Sequence, residues 1–147
     1  MIDVDYPKLL SLFAGHITPE RSESAAFLIW YLEHYYRLDS LEATDCVCDQ
    51  SNDKGVDGIF VNDNDQTITV FQSKISQKSD RTVGDAALRV FAGTLSQFES
   101  AEKLQNLVDS AGNARVAGLV KRLNLAKKCE QNRLLALCFG LPLVNKA

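Results

Sequence analysis

The stretches Gly55-Val56-Asp57-Gly58-Ile59-Phe60-Val61 and Thr67-Ile68-Thr69-Val70-Phe71-Gln72-Ser73-Lys74-Ile75 decide how this chain folds. Both are rich in β-branched and aromatic residues, which predicts strands over Asp57–Val61 and Thr67–Ile75. The intervening Asn62-Asp63-Asn64-Asp65-Gln66 has turn composition, so the two strands are expected to form an antiparallel hairpin. A turn centred on Asn64-Asp65 sets Asp57 opposite Gln72. Opposed side chains share a face, with Cβ atoms about 4.5–5.5 Å apart. Lys74 lies two residues further on and projects from the same face, across from Gly55, which has no side chain to obstruct it. Ile68 and Val70 precede it on that face, so part of the face is expected to be covered. A slip of one residue would separate Asp57 from Gln72.

Upstream, Asp5–Ala14 reads as a short helix with Asp5 as its cap and Gly15 as its stop. Thr18 is expected to cap a second helix, with Pro19 at the first position and Glu20 in the first turn, running to about Arg37. Its middle, Phe27–Leu32, is apolar nearly all round, which predicts burial on more than one side. Leu41–Cys48 reads as a further strand and Asp49–Val56 as a loop.

Downstream, Ser76–Arg81 is a polar loop. Thr82–Lys128 has helical apolar spacing, with Thr82 and Asp85 as a capping-box-like pair and a break near Glu99-Ser100. A second helix there is expected to end at Gly112, and a third to run over Ala114–Lys128. Arg133–Phe139 is a near-continuous apolar run, as expected of a strand buried on both faces. It returns after a helical crossover, which predicts parallel pairing. The expected class is therefore α/β: a mixed sheet with an antiparallel hairpin, flanked by helices.

The 147 residues suit one domain spanning 1–147, and 46% hydrophobic content excludes a disordered chain. The net charge of −3 excludes a uniformly basic nucleic-acid binder. That sum hides an uneven distribution: residues 45–65 carry a net −5 and residues 66–147 a net +6. No leader-like pattern opens the sequence and no stretch is long enough to span a membrane, so a cytoplasmic protein with reduced, structural cysteines at 46, 48, 129 and 138 is expected. His16 and His34 lack the company of a catalytic base. No phosphate-binding glycine loop is present, and the aspartates between 49 and 65 miss the spacing of a calcium loop.

The hairpin is where chemistry converges. A carboxylate and an amide oxygen on one strand pair, here Asp57 and Gln72, suit a hard cation such as Mg²⁺ (or Mn²⁺), which keeps several waters and also meets substrate phosphate. Such an ion makes water a better nucleophile and stabilises charge at phosphorus. The Lys74 ammonium is suited to orient that water or offset developing negative charge. The bland alternative is the polar solvent side of a hairpin.

Gly55-Val56-Asp57-Gly58-Ile59, a short hairpin and Phe71-Gln72-Ser73-Lys74 resemble the core of the PD-(D/E)xK (restriction-endonuclease-like) nuclease superfamily, in its Mrr-like variant with Gln before the x-Lys. With Phe27–Tyr36 and Asn52-Asp53-Lys54 added, the chain is also similar to the N-terminal region of AIPR-type abortive-infection phage-resistance proteins. The resemblance covers about 18–140, leaving 1–17 as a helical extension. It implies an αβββαβ core and a metal-dependent endonuclease hydrolysing DNA phosphodiester bonds in phage defence or restriction. It implies Asp57 and Gln72 as metal ligands, the backbone carbonyl of Ser73 as a further one, and Lys74 as the catalytic lysine. A glutamate from the first core helix would complete the set: Glu23 or, second, Glu33. The alternative is a catalytically inactive module of that fold for nucleic-acid binding or protein assembly. Val56 stands where the superfamily has proline, and Gln72 removes one negative charge from the site.

Lys78 and Arg81, just past the second hairpin strand, are the expected contacts to DNA phosphates. Arg115, Lys121, Arg122, Lys127 and Lys128 form a second basic set, read either as a solvated face or as phosphate contacts. The superfamily acts on DNA, commonly as homodimers, and the AIPR-type proteins are longer. The expected partners are thus DNA, a second copy, and a further C-terminal domain or partner protein, with no membrane.

Overall fold

Turn chemistry fixes the centre of the fold. In the computed structural model, which describes residues 5–48, 55–77, 85–110 and 114–141, strand β1 (Gly58–Asn62) pairs antiparallel with β2 (Thr67–Ile75). Gly58 lies opposite Phe71 and Asn62 opposite Thr67, the register expected from the turn. Strand β3 (Arg133–Leu141) adds parallel to β2, giving the order β1-β2-β3. The architecture is a small three-stranded mixed sheet flanked by helices.

Two helices pack on one face. Helix α1 (Glu23–Tyr35) starts one turn later than expected, because the Ser22 hydroxyl, and not Thr18, accepts the Ala25 N–H at 3.1 Å. Its Leu28, Ile29 and Leu32 pack with Phe71 on the sheet, while Ala26 and Phe27 pack with Leu9 and Phe13 of the 3-10 segment Lys8–His16. Burial on two sides explains its all-round apolar character.

The strand expected over Leu41–Cys48 is instead helix α2 (Ser40–Asp45) followed by a single antiparallel bridge, Val47 to Gly58. The reason is local. Asp39 and Glu42 form a full capping box: the Asp39 carboxylate accepts the Glu42 N–H, and the Glu42 carboxylate accepts the Asp39 N–H. Among the described residues, three strands and one bridge therefore stand where the αβββαβ pattern has four strands.

The other face carries the larger apolar cluster. Ile59, Ile68 and Val70 pack with Phe91, Phe98, Leu104, Leu119 and Leu125, from α3 (Asp85–Leu95), a 3-10 turn (Ser96–Phe98), α4 (Ala101–Asp109), α5 (Ala114–Arg122) and α6 (Leu125–Lys128). The break near Glu99-Ser100 is present, with Ser100 capping α4. The single helix expected over Ala114–Lys128 is interrupted at Asn124, whose left-handed φ of 54° ends one helix before the next begins. Helix α4 stops at Asp109, before Gly112; Gly112 and Thr82 lie outside the described residues.

Strand β3 is not buried on both faces. Among the described residues it forms the sheet edge with β2 as its one neighbour, and Leu135 remains 39% exposed. Among the described residues, no helix is long and apolar enough to cross a membrane. All four cysteines are free thiols.

Candidate functional site

Strand β2 is longer than β1. Beyond Phe71 its β1-side edge would be left without a ladder partner, and two side chains take over. Asp57, the residue just before β1, sends its Oδ2 to the Ser73 N–H at 2.6 Å. Further along, the Ser24 hydroxyl at the start of α1 accepts the Ile75 N–H at 3.2 Å, and its carbonyl accepts the Ser73 hydroxyl at 3.2 Å. A residue's N–H and C=O lie along the same strand edge, so the Ser73 carbonyl also faces the Asp57 side.

Asp57 is held from three directions. Its N–H donates to the Phe71 carbonyl at 2.8 Å and its C=O accepts the Cys48 N–H at 2.7 Å, in addition to the carboxylate bond. Its glycine neighbours permit this packing. At Gly58 a Cβ would sit 2.9 Å from a Leu28 methyl and 3.1 Å from the Cys46 carbonyl. At Gly55, with φ +81°, a Cβ would sit 2.8 Å from the Gln72 Nε2. The space at Gly55 therefore serves the Gln72 amide rather than Lys74.

Gln72 is only 1% exposed, and its Oε1 accepts a hydrogen bond from the Cys138 thiol at 3.0 Å. Cys138 is its partner in the parallel ladder and shares its face. Burial raises the Cys138 thiol above its ordinary pKa; the Asp57 charge adds to this and the Lys74 charge opposes it. Gln72 thus bonds the thiol directly, and the charges of Asp57 and Lys74 both act on it. Lys74 itself is exposed at the open end of the strand.

The two glutamates fare differently. Glu23 lies at the start of α1, beside the Ser24 that bonds Ser73 and Ile75, and its Oε1 accepts the Tyr6 hydroxyl at 3.0 Å. That bond, followed by burial, raises the Tyr6 pKa. Glu33 is about 15 Å further along the helix axis and its Oε2 pairs with the His16 Nε2 at 2.6 Å. His34 stacks on Trp30, ring centroids 4.5 Å apart, and bonds the Trp30 carbonyl, so both histidines have structural partners. Among the described residues, no three His, Cys, Asp or Glu side chains come together as a metal cluster.

Lys78 and Arg81 lie outside the described residues. Of the second basic set, Lys128 pairs with Asp63 in the hairpin turn at 3.1 Å and Arg122 donates to the Asp45 carbonyl, while Lys121 and Lys127 are exposed. Cys138 is the site residue that sequence reading missed. Its apolar run carried the strand signal, but only the parallel register sets it against Gln72.

The chain matches no protein-family model, no curated protein and no solved structure.

Proposed function

We propose that this chain is a nuclease domain of restriction-endonuclease-like fold that hydrolyses DNA phosphodiester bonds with Mg²⁺ or Mn²⁺, in restriction or phage defence. One observation carries the reading: Asp57 closes onto the Ser73 N–H just ahead of β1, with Gln72 and Lys74 on the same face of β2. The bridge between Val47 and Gly58 is the remnant of a fourth strand in this view. DNA as substrate, and defence as role, rest on the sequence resemblance.

The donor set suits a loosely held cation. One carboxylate, the second lone pair of the Gln72 Oε1 and the Ser73 carbonyl leave room for the waters and substrate oxygens that Mg²⁺ retains. Glu23 is the nearer helix carboxylate to add to them. When bound, such an ion polarises phosphate oxygens and acidifies water. Asp57 supplies the fixed negative charge of the site. Lys74, exposed at its mouth, meets negative charge on the phosphate.

A second reading is a module of the same fold that binds nucleic acid without cutting it. Its support is that no three metal-ligating side chains come together among the described residues, and that the Gln72 oxygen already accepts a bond. Plasmid nicking with Mg²⁺ or Mn²⁺ separates the two. Nicking lost in both Asp57→Ala and Lys74→Ala supports catalysis; nicking retained in both refutes it. Salt-sensitive DNA binding without cleavage supports the module.

A further inference from the structure

We propose that Cys138 is a positioning residue, whose thiol hydrogen fixes the Gln72 amide with Oε1 toward β3 and Nε2 toward Gly55. This rests on the reading of Gln72 as a site residue, but the geometry stands without it.

An amide has two nearly isosteric ends, and a site that needs its oxygen must prevent the side chain from turning over. Gln72 is 1% exposed, so solvent does not select the orientation. The protein does so from both sides. Cys138 lies directly across the parallel ladder and its Sγ is 3.0 Å from the Oε1, a donor to an acceptor. On the other side, Gly55 lets the chain approach so closely that a single methyl group would sit 2.8 Å from the Nε2. Turned over, the amide would give up the thiol's hydrogen and donate its NH₂ to the sulfur, which is only a weak acceptor. A thiol donor also leaves the second Oε1 lone pair available to a cation, whereas an ammonium or guanidinium at 138 would repel one. Outer partners of this kind tune a metal site without touching the metal.

Three variants test the assignment. Cys138→Ser keeps a donor, Cys138→Ala removes it, and Gln72→Leu removes the acceptor. The first readout is the pair of Gln72 side-chain amide resonances by ¹⁵N NMR, independent of any activity. The second is the S–H stretching band of Cys138 by Raman difference against Cys138→Ser. The third is the Mg²⁺ concentration giving half-maximal plasmid nicking.

Cys138→Ala is expected to shift the Gln72 amide pair as its oxygen loses a donor, while the two protons stay distinct because rotation about the amide C–N bond is slow. Cys138→Ser is expected to keep the pair close to its wild-type positions. Gln72→Leu is expected to move the S–H band to higher frequency, as for a thiol losing its acceptor. The Mg²⁺ requirement is expected to rise about tenfold or more in Cys138→Ala, the usual loss when an outer partner is removed, and to be restored in Cys138→Ser. Unchanged Gln72 resonances in Cys138→Ala, or a Cys138→Ser variant that behaves like Cys138→Ala, would overturn the proposal. If Cys138→Ala does not fold, the S–H band in Gln72→Leu decides: no shift overturns the proposal and an upward shift upholds the bond. If the wild-type protein does not nick DNA, the catalytic reading fails, while the resonances and the S–H band still decide the positioning.

Discussion

The two faces of the central strand β2 have opposite characters, although they alternate along the same nine residues. The face toward α1 and α2 is closed by aromatic side chains. Phe71, fully buried, meets the rings of Tyr36 and Tyr31 at centroid distances of 5.5 and 6.4 Å, and Tyr36 meets Phe60 at 5.2 Å. The face toward α3–α6 changes along its length, from Ile68 and Val70 in the core, through buried Gln72, to exposed Lys74. The period-two alternation of a strand lets one face hold the fold while the other runs from core to solvent. A polar site at the open end then costs the core little.

Four measurements can break or sharpen that contrast. Phe71→Ala on the closed face is expected to cost about 3–5 kcal/mol of stability in urea unfolding. A loss below 1 kcal/mol would mean that the aromatic face does not hold the fold. Gly55→Ala, at the site end of the other face, is expected to cost about 1–2 kcal/mol from its left-handed φ alone. It should also crowd the Gln72 amide, visible as a shift of the Gln72 side-chain resonances.

Next comes a pH effect beside the closed face. Burial pushes the Cys46 thiol up to about 11, with Arg122 opposing and Asp45 and Glu42 adding to the rise. The folded state therefore holds its proton more tightly than the unfolded chain. Its contribution is fully present below the ordinary thiol value of 9.0 and is lost as pH rises toward about 11. Cys46→Ala should flatten the stability profile over that window, and an unchanged slope would contradict the burial. Smallest in stability is Lys74→Ala, expected within about 0.5 kcal/mol of wild type because the side chain is exposed. If the catalytic reading holds, the same variant abolishes nicking, so stability and activity would separate cleanly between the faces.

The hairpin was legible because its information is local. The turn between two β-rich runs sets the register of Gly58–Asn62 against Thr67–Phe71, and the strand period puts Gln72 and Lys74 on one face. The parallel return of Arg133–Leu141 was legible as a crossover, but its alignment with β2 depends on how far four helices carry the chain. Cys138 opposite Gln72 was therefore out of reach. Leu41–Cys48 failed for a different reason. Its apolar and β-branched residues read as strand, while the deciding signal, Asp39 with Glu42, begins just upstream of it. Ser22 displaced Thr18 as cap through a hydroxyl bond that either residue type can make, Ser somewhat the better.

The parallel pairing has a kinetic consequence. The β1–β2 hairpin closes a four-residue turn, an event of microseconds. Cys138 meets Gln72 at a sequence separation of 66, a long-range contact that pays its loop-closure entropy late. Asp57 can thus reach Ser73 while β3 is still unattached, and the Gln72 side chain acquires its thiol partner only when the helical crossover has folded. A chain stalled before that step would carry a finished hairpin and an unfinished site.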